Sequence, residues 1–350
     1  MTTADREAVL LLAHGTPDVL GEMEAYLKLV TGGRGVPAHV VEELQQRYAT
    51  IGLRDEPSSQ GSHLTRWTMR QAALLQERLR RRVYVAMRNW KPFIPDVVAR
   101  MKGDGIKKVK AICLAPQNSR TSIGLYRRAL EDAAGNSMEV EFLAAWAEHP
   151  LLVRAFAERM WSALAFAHTS VNGRVAALFT AHSVPSSTVL PSTTPMEYHG
   201  MILANGPDPY DKQCRQTARL IGAALPDLLD ARDCYFGFQS QGLSGGPWLG
   251  PTVEETLVRL KHEGYEAVVI QPVGFLCDHV EILYDIDVAF QRTARELGLK
   301  LVRAESLNDS PDLISALENL ALSGAHPPRE FANLTASRLA AVTTGAAWRD

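Results

Sequence analysis

Cysteine is scarce, with four residues in 350, and Cys113, Cys214, Cys234 and Cys277 form no CxxC pair. No signal-peptide pattern precedes the first apolar run, Val9 to Ala13, so the expected setting is reducing and cytoplasmic. Excess charge of one sign is also missing. Lys plus Arg (37) against Asp plus Glu (39) leaves −2, and bulk charge therefore predicts no nucleic-acid or membrane partner. The short run Arg80, Arg81, Arg82 closes a helical pattern, where cations favour the helix end. No long hydrophobic run is present either. The longest charge-free stretch, Val175 to Met196, is broken by Pro185, Pro191 and Pro195 and loses its apolar character at Ser186, so no integral membrane segment is expected. Neither GxGxxG nor GxxxxGK[ST] occurs, which removes support for the usual nucleotide sites.

What is present is chain enough for about two domains and an alternation of short apolar runs with helix-period stretches. That alternation predicts an α/β protein with mostly parallel sheets covered by helices. Strands are expected at Val9 to Ala13, Val83 to Ala86, Lys110 to Leu114, Glu139 to Phe142, Val175 to Thr180, Asp233 to Gln239, Ala267 to Pro272 and Lys300 to Ala304. Helices are expected at 65–80, 91–103, 122–134, 150–168, 210–224, 251–263, 279–297 and 311–322.

An internal echo organises these elements. Val9-Leu10-Leu11-Leu12-Ala13-His14 opens the first half, and Ala177-Leu178-Phe179-Thr180-Ala181-His182 opens the second. Ala111 to Pro116 similarly echoes Val268 to Val273. The expected architecture is two similar doubly wound domains, 1–170 and 171–324, with a ligand cleft where their strand ends meet and a C-terminal tail at 325–350. Residues 53–62 and 186–209 read as rim or lid loops.

Two constellations carry chemistry. His182 lies just past a buried strand in Thr180-Ala181-His182-Ser183-Val184-Pro185, as a proton carrier and borderline metal ligand or as a loop-capping histidine. Glu281 and Asp285 lie four apart on the helix after Pro272 and Gly274. In a cleft they raise one another's proton affinity and form a proton relay or a path for a hydrated dication. The alternative for Glu281 is a capping box with Asp278 at a helix start. His279-Val280-Glu281 is not HExxH, and Ser183 has no GxSxG elbow. Trp248, amid Gly246, Pro247, Gly250 and Pro251, reads as cleft wall.

Together these segments resemble the ferrochelatases, which insert ferrous iron into a porphyrin. The matching stretches are Leu11 to Pro17, Arg47 to Gly52, Thr180 to Pro185, Asp208 to Tyr210, Phe238 to Ser240 with Pro247 to Pro251, and Pro272 to Asp287. In motif layout the chain is closer to the coproporphyrin ferrochelatases. The resemblance implies His182 and Glu281 as catalytic residues, with Asp285 continuing an acidic metal path, so that His182, Glu281 and Asp285 meet the metal. It also implies Arg88 as a propionate partner and His14, Arg88 and Trp248 as porphyrin-cleft residues. His14 departs from a tyrosine in coproporphyrin-type relatives and stands as a candidate ligand to product iron. Val30-Thr31-Gly32 replaces their paired arginines, and Ala289 replaces an acidic residue. Iron and porphyrin are then substrates, no permanent prosthetic group is needed, and no cysteine after Cys277 is present for an iron-sulfur cluster. The implied state is a monomer. A cobalt or other metal chelatase and a non-catalytic haem- or porphyrin-binding protein remain the alternatives.

Overall fold

The computed structural model describes residues 6–59, 61–189, 196–198, 201–203, 208–242 and 246–323. The first half contains strands β1 (Glu7–Ala13), β2 (Val83–Met87), β3 (Lys108–Cys113) and β4 (Glu139–Leu143), with helices α1 (Met23–Val30), α2 (Ala38–Thr50), α3 (His63–Leu79), α4 (Ile94–Gly103) and α5 (Ile123–Ala134). Helix α6 (Pro150–Ser170) leads into β5 (Arg174–His182), the turn of helix α7 (Ser186–Val189), the hairpin β6 (Met196–Tyr198) and β7 (Met201–Leu203), and α8 (Tyr210–Ala223). There follow β8 (Cys234–Gln239), α9 (Val253–His262), β9 (Tyr265–Pro272), α10 (Val280–Leu283), a π-helical turn Asp285–Phe290, α11 (Gln291–Glu296), β10 (Lys300–Arg303) and α12 (Pro311–Ser323).

All eight expected strands form, and they make two four-stranded parallel sheets. Their orders are β2-β1-β3-β4 and β10-β9-β5-β8. Numbered within its own half, each sheet reads 2-1-3-4, so the two echoes in sequence are the two central strands of each sheet. The direction of winding reverses between the first and third strands, β1/β3 in one half and β5/β9 in the other. In such sheets ligands bind beyond the carboxyl ends of the strands at this reversal.

Side-chain alternation sets the layers. Ala8, Leu10 and Leu12 of β1 meet α4 and α5 on one face, while Val9, Leu11 and Ala13 face a second core. That second core is shared: it also holds Val175, Ala177, Phe179 and Ala181 of β5, with α6 and α12 threaded through it. Phe156 of α6 is fully buried there. The ion pairs Arg70–Asp309 and Arg78–Glu318 tie α3 to the α12 segment. A separate cluster of Met23, Tyr26, Leu27, Tyr48, Leu53 and Trp90 covers the first half's strand ends, and Val280 of the second half packs against it.

Local sequence explains the helix starts. Ser62 accepts from Thr65 N at 3.3 Å to cap α3, and Thr252 with Glu255 forms a reciprocal capping box on α9. The single helix expected over 279–297 is instead divided. Tyr284 O accepts from Ala289 N as well as Val288 N, the wider i+5 bond of a π turn. Arg303 holds the outer side of this turn through Asp287, with Nε and Nη2 donating to its two oxygens at 2.7 and 3.0 Å. Half of 186–209, expected as a loop, lies outside the described residues, and the described half carries α7 and the β6/β7 pair; the tail from 324 also lies outside them.

Candidate active site

The site is built at the β5/β9 reversal. His182 ends β5, and its Nδ1 donates to the adjacent carbonyl of Ser183, a group that only accepts. The other ring nitrogen, Nε2, faces the Glu281 carboxylate 3.6 Å away. Glu281, delivered by α10, is also 3.6 Å from Nε2 of His279. These separations are just beyond direct hydrogen bonding, and a small shift of either ring closes them. Burial pushes the Glu281 carboxyl up, but the imidazoles of His182 and His279 outweigh it and hold the group well below the usual carboxylate range. Burial conversely lowers His279, and the interaction with Glu281 overcomes this to raise it.

Gln239 at the end of β8 fixes both partners. Its side-chain oxygen accepts from Thr180 Oγ1 at 2.7 Å, its Nε2 donates to the Glu281 carbonyl at 2.7 Å, and its own carbonyl accepts from Ser183 N at 2.7 Å. Gln239 is almost wholly buried, so these bonds are made away from competing water. Tyr210 Oη donates to the His182 carbonyl at 3.0 Å. Gly274 allows the loop after β9 to press on β5, since a Cβ there would stand 3.2 Å from that of Ala181.

Asp285 stands next along the cleft. Burial lifts its pKa to about 6, with the charge of Glu281 adding to the rise and Ser240, Arg47 and His182 opposing it. Ser240 Oγ donates to Oδ2 at 2.5 Å, and Ser240 holds the left-handed backbone at φ 61°. For a residue other than glycine this conformation is costly and occurs most often at functional sites.

The capping-box alternative for Glu281 is not what forms. Asp278 turns away, 3.4 Å from Arg303 Nη1 and accepting from Asn308 Nδ2 at 3.0 Å; His279 takes the N-cap place without a side-chain cap bond.

Across the cleft, His14 follows β1. Its ring opens onto the cleft surface yet lies deep among protein groups. Desolvation, then the Arg88 guanidinium, lowers its pKa to about 3, with Glu281, His182 and His279 also within electrostatic reach. The Asn89 side-chain amide is 3.0 Å from His14 Nε2, and Tyr26 meets the ring edge-on at 6.3 Å between centroids. Gly15 at φ 86° makes the turn after His14; a Cβ there would lie 2.8 Å from Trp90 N. Arg88 lies over the Tyr126 ring at 5.6 Å, and its buried Nε finds no hydrogen-bond partner among the described residues. Trp248 is half-buried in an extended bridge with Pro185, against Gly242.

His14, Arg88, His182 and Glu281 thus share one electrostatic neighbourhood, with Asp285 beside Glu281. Among the described residues no three His, Cys, Asp or Glu side chains converge as a preformed metal cage, and Asp285 turns to Ser240 and Arg47 instead. Sequence reasoning passed over His279 and the positioning roles of Gln239 and Tyr210. The last two lie in stretches already singled out, Phe238 to Ser240 and Asp208 to Tyr210.

A ferrochelatase family model matches residues 6–325. A ferrochelatase of Acidobacterium capsulatum is 54% identical over 321 residues, covering 91% of this chain and 95% of that protein. A coproporphyrin III ferrochelatase of Geobacillus kaustophilus is 32% identical over 90% of this chain and 94% of its own length. SirB of Bacillus subtilis, solved with Fe3+, shares the fold at a TM-score of 0.50 and 13% identity, over 91% of this chain and 96% of that one. With two 2-1-3-4 sheets and an imidazole–carboxylate pair at the strand reversal, the chain belongs to the ferrochelatase family, enzymes that insert a metal ion into a tetrapyrrole.

Proposed function

We propose that the protein inserts Fe(II) into a carboxylate-bearing porphyrin, coproporphyrin III or protoporphyrin IX, with release of two pyrrole protons. The observation that carries this reading is Nε2 of His182 placed 3.6 Å from the Glu281 carboxylate. An imidazole lone pair beside a carboxylate accommodates one added proton between two acceptors, the capacity needed to accept a proton from a pyrrole N–H. His182 and Glu281 act as a couple. His279 on the far side of Glu281 holds the carboxylate ionised between transfers.

Insertion changes no oxidation state: the macrocycle loses two protons and the metal loses its water shell. The protein supplies orientation and proton acceptance. His14, kept neutral, and the unfilled donor of Arg88 on the opposite wall suit one macrocycle face and a propionate, respectively. Cleft binding energy bends the macrocycle so that its nitrogens face the incoming ion.

The test is anaerobic Fe(II) insertion with both porphyrins in parallel, with Co(II) as competitor, using wild type and His182→Ala. The expected result is turnover of at least one porphyrin that falls about 100-fold or more in the variant. Folded wild type that binds porphyrin but inserts iron into neither overturns the reading in favour of another metal or a binding role.

A further inference from the structure

One cation lies on the acidic side of the cleft and comes from the opposite half of the molecule. Arg47 of α2 places Nη1 3.8 Å from Asp285 Oδ1 and its guanidinium 5.3 Å from the Tyr284 ring centroid. Its Nη2 donates to Glu43 at 2.5 Å, and its buried Nε has no partner among the described residues. Asp285 Oδ2 is meanwhile taken by Ser240. One oxygen of this carboxylate is therefore hydrogen-bonded and the other faces a guanidinium, so a positive group stands beside the acidic residue one helical turn from Glu281. The pairing is weak by construction. Arg47 is 35% exposed and its contact exceeds hydrogen-bonding distance, so a better-placed carboxylate displaces Asp285 at small cost. A guanidinium with an unfilled Nε donor is suited to receive such a group bidentately.

We propose that Arg47 is a latch on Asp285: it shields this carboxylate while the cleft is empty, and a porphyrin carboxylate draws the guanidinium off and frees Asp285 for the dication. This rests on the reading of the cleft as the site where porphyrin and metal meet. Porphyrin and metal then bind with positive coupling, because one releases the group the other needs, and linkage requires the effect to be mutual. The latch suppresses metal binding to an enzyme that holds no porphyrin.

A double-mutant cycle on the full chain tests this without turnover. Co(II) binding, followed by calorimetry in the absence of porphyrin, is compared among wild type, Arg47→Gln, Asp285→Asn and the double variant. The expected result is about fivefold tighter Co(II) binding by Arg47→Gln, the scale of one half-exposed ion pair, with the gain absent on the Asp285→Asn background. In the reciprocal arm, coproporphyrin III or protoporphyrin IX is titrated by fluorescence quenching without metal. Asp285→Asn tightens porphyrin binding about fivefold, and the gain disappears when Arg47 is also Gln. Thermal melts establish that all four proteins are folded. An unchanged Co(II) affinity in Arg47→Gln, a gain that persists without Asp285, or an Asp285→Asn variant with unaltered porphyrin affinity overturns the latch. Because both arms read binding alone, failure of iron insertion is scored separately from failure of the latch.

Discussion

The two halves wind four strands in the same order, yet they place different chemistry at the same point. Beyond β1, the first half sets His14 against Asn89 and Arg88, an imidazole held neutral beside a cation. Beyond β5 and β9, the second half sets His182 against Glu281, an imidazole beside an anion that is itself flanked by His279. A repeated backbone thus supplies two opposed walls, and the loops after the strands give them different charge; in the function proposed above, one wall would receive substrate carboxylates and the other protons. The halves are also unequal in independence, since α6 and α12 merge one face of each sheet into a shared core.

Breaking that shared core is the largest expected effect. Phe156→Ala removes a fully buried ring of α6 between the two sheets and should cost about 3–5 kcal/mol. Urea unfolding followed by far-UV circular dichroism and tryptophan fluorescence should show one coincident transition moved to lower denaturant. Two separated transitions would show that the halves fold independently and that the shared core is only a contact.

A smaller effect sharpens the difference in charge at the two walls. Asp285 has a folded-state pKa of about 6, above its ordinary 3.8, so the folded protein binds this proton more tightly than the unfolded chain does. Its contribution to stability is therefore fully present below pH 3.8 and is lost as pH rises to about 6, a change of about 3 kcal/mol at most. Asp285→Asn should remove this slope, so that its stability relative to wild type improves between pH 4 and pH 7. Equal pH dependence in the two proteins, measured by denaturant midpoints, contradicts the assignment.

Much of this was legible in the sequence, for identifiable reasons. The eight strands are short apolar runs bounded by helix-period segments, and the paired Ala-His endings marked both central strands. Helix α2 was not legible because Tyr48 is its only buried residue, so its apolar stripe is faint. The π turn was hidden because Asp287 reads as one more exposed acid until Arg303, sixteen residues away, is seen to hold it. At the site, His182, Glu281 and Asp285 announce themselves by residue type at strand and helix ends. His279 and Gln239 do not, because what qualifies them is distance: one lies beside Glu281 across a turn, and the other joins three separate segments. The capping-box reading of Asp278 failed for the same reason, since Arg303 and Asn308 compete for its carboxylate from distant segments.

The most direct test of the division of labour between the walls is a paired single-turnover measurement of Fe(II) insertion into a pre-bound porphyrin, comparing His182→Ala with His14→Phe. The account predicts that His182→Ala slows the insertion step about 100-fold or more while porphyrin still binds. His14→Phe should leave that step within about tenfold of wild type and alter the absorption spectrum of the bound metallated product. Equal slowing in both variants, or a loss confined to His14→Phe, contradicts the placement of proton acceptance on the second half.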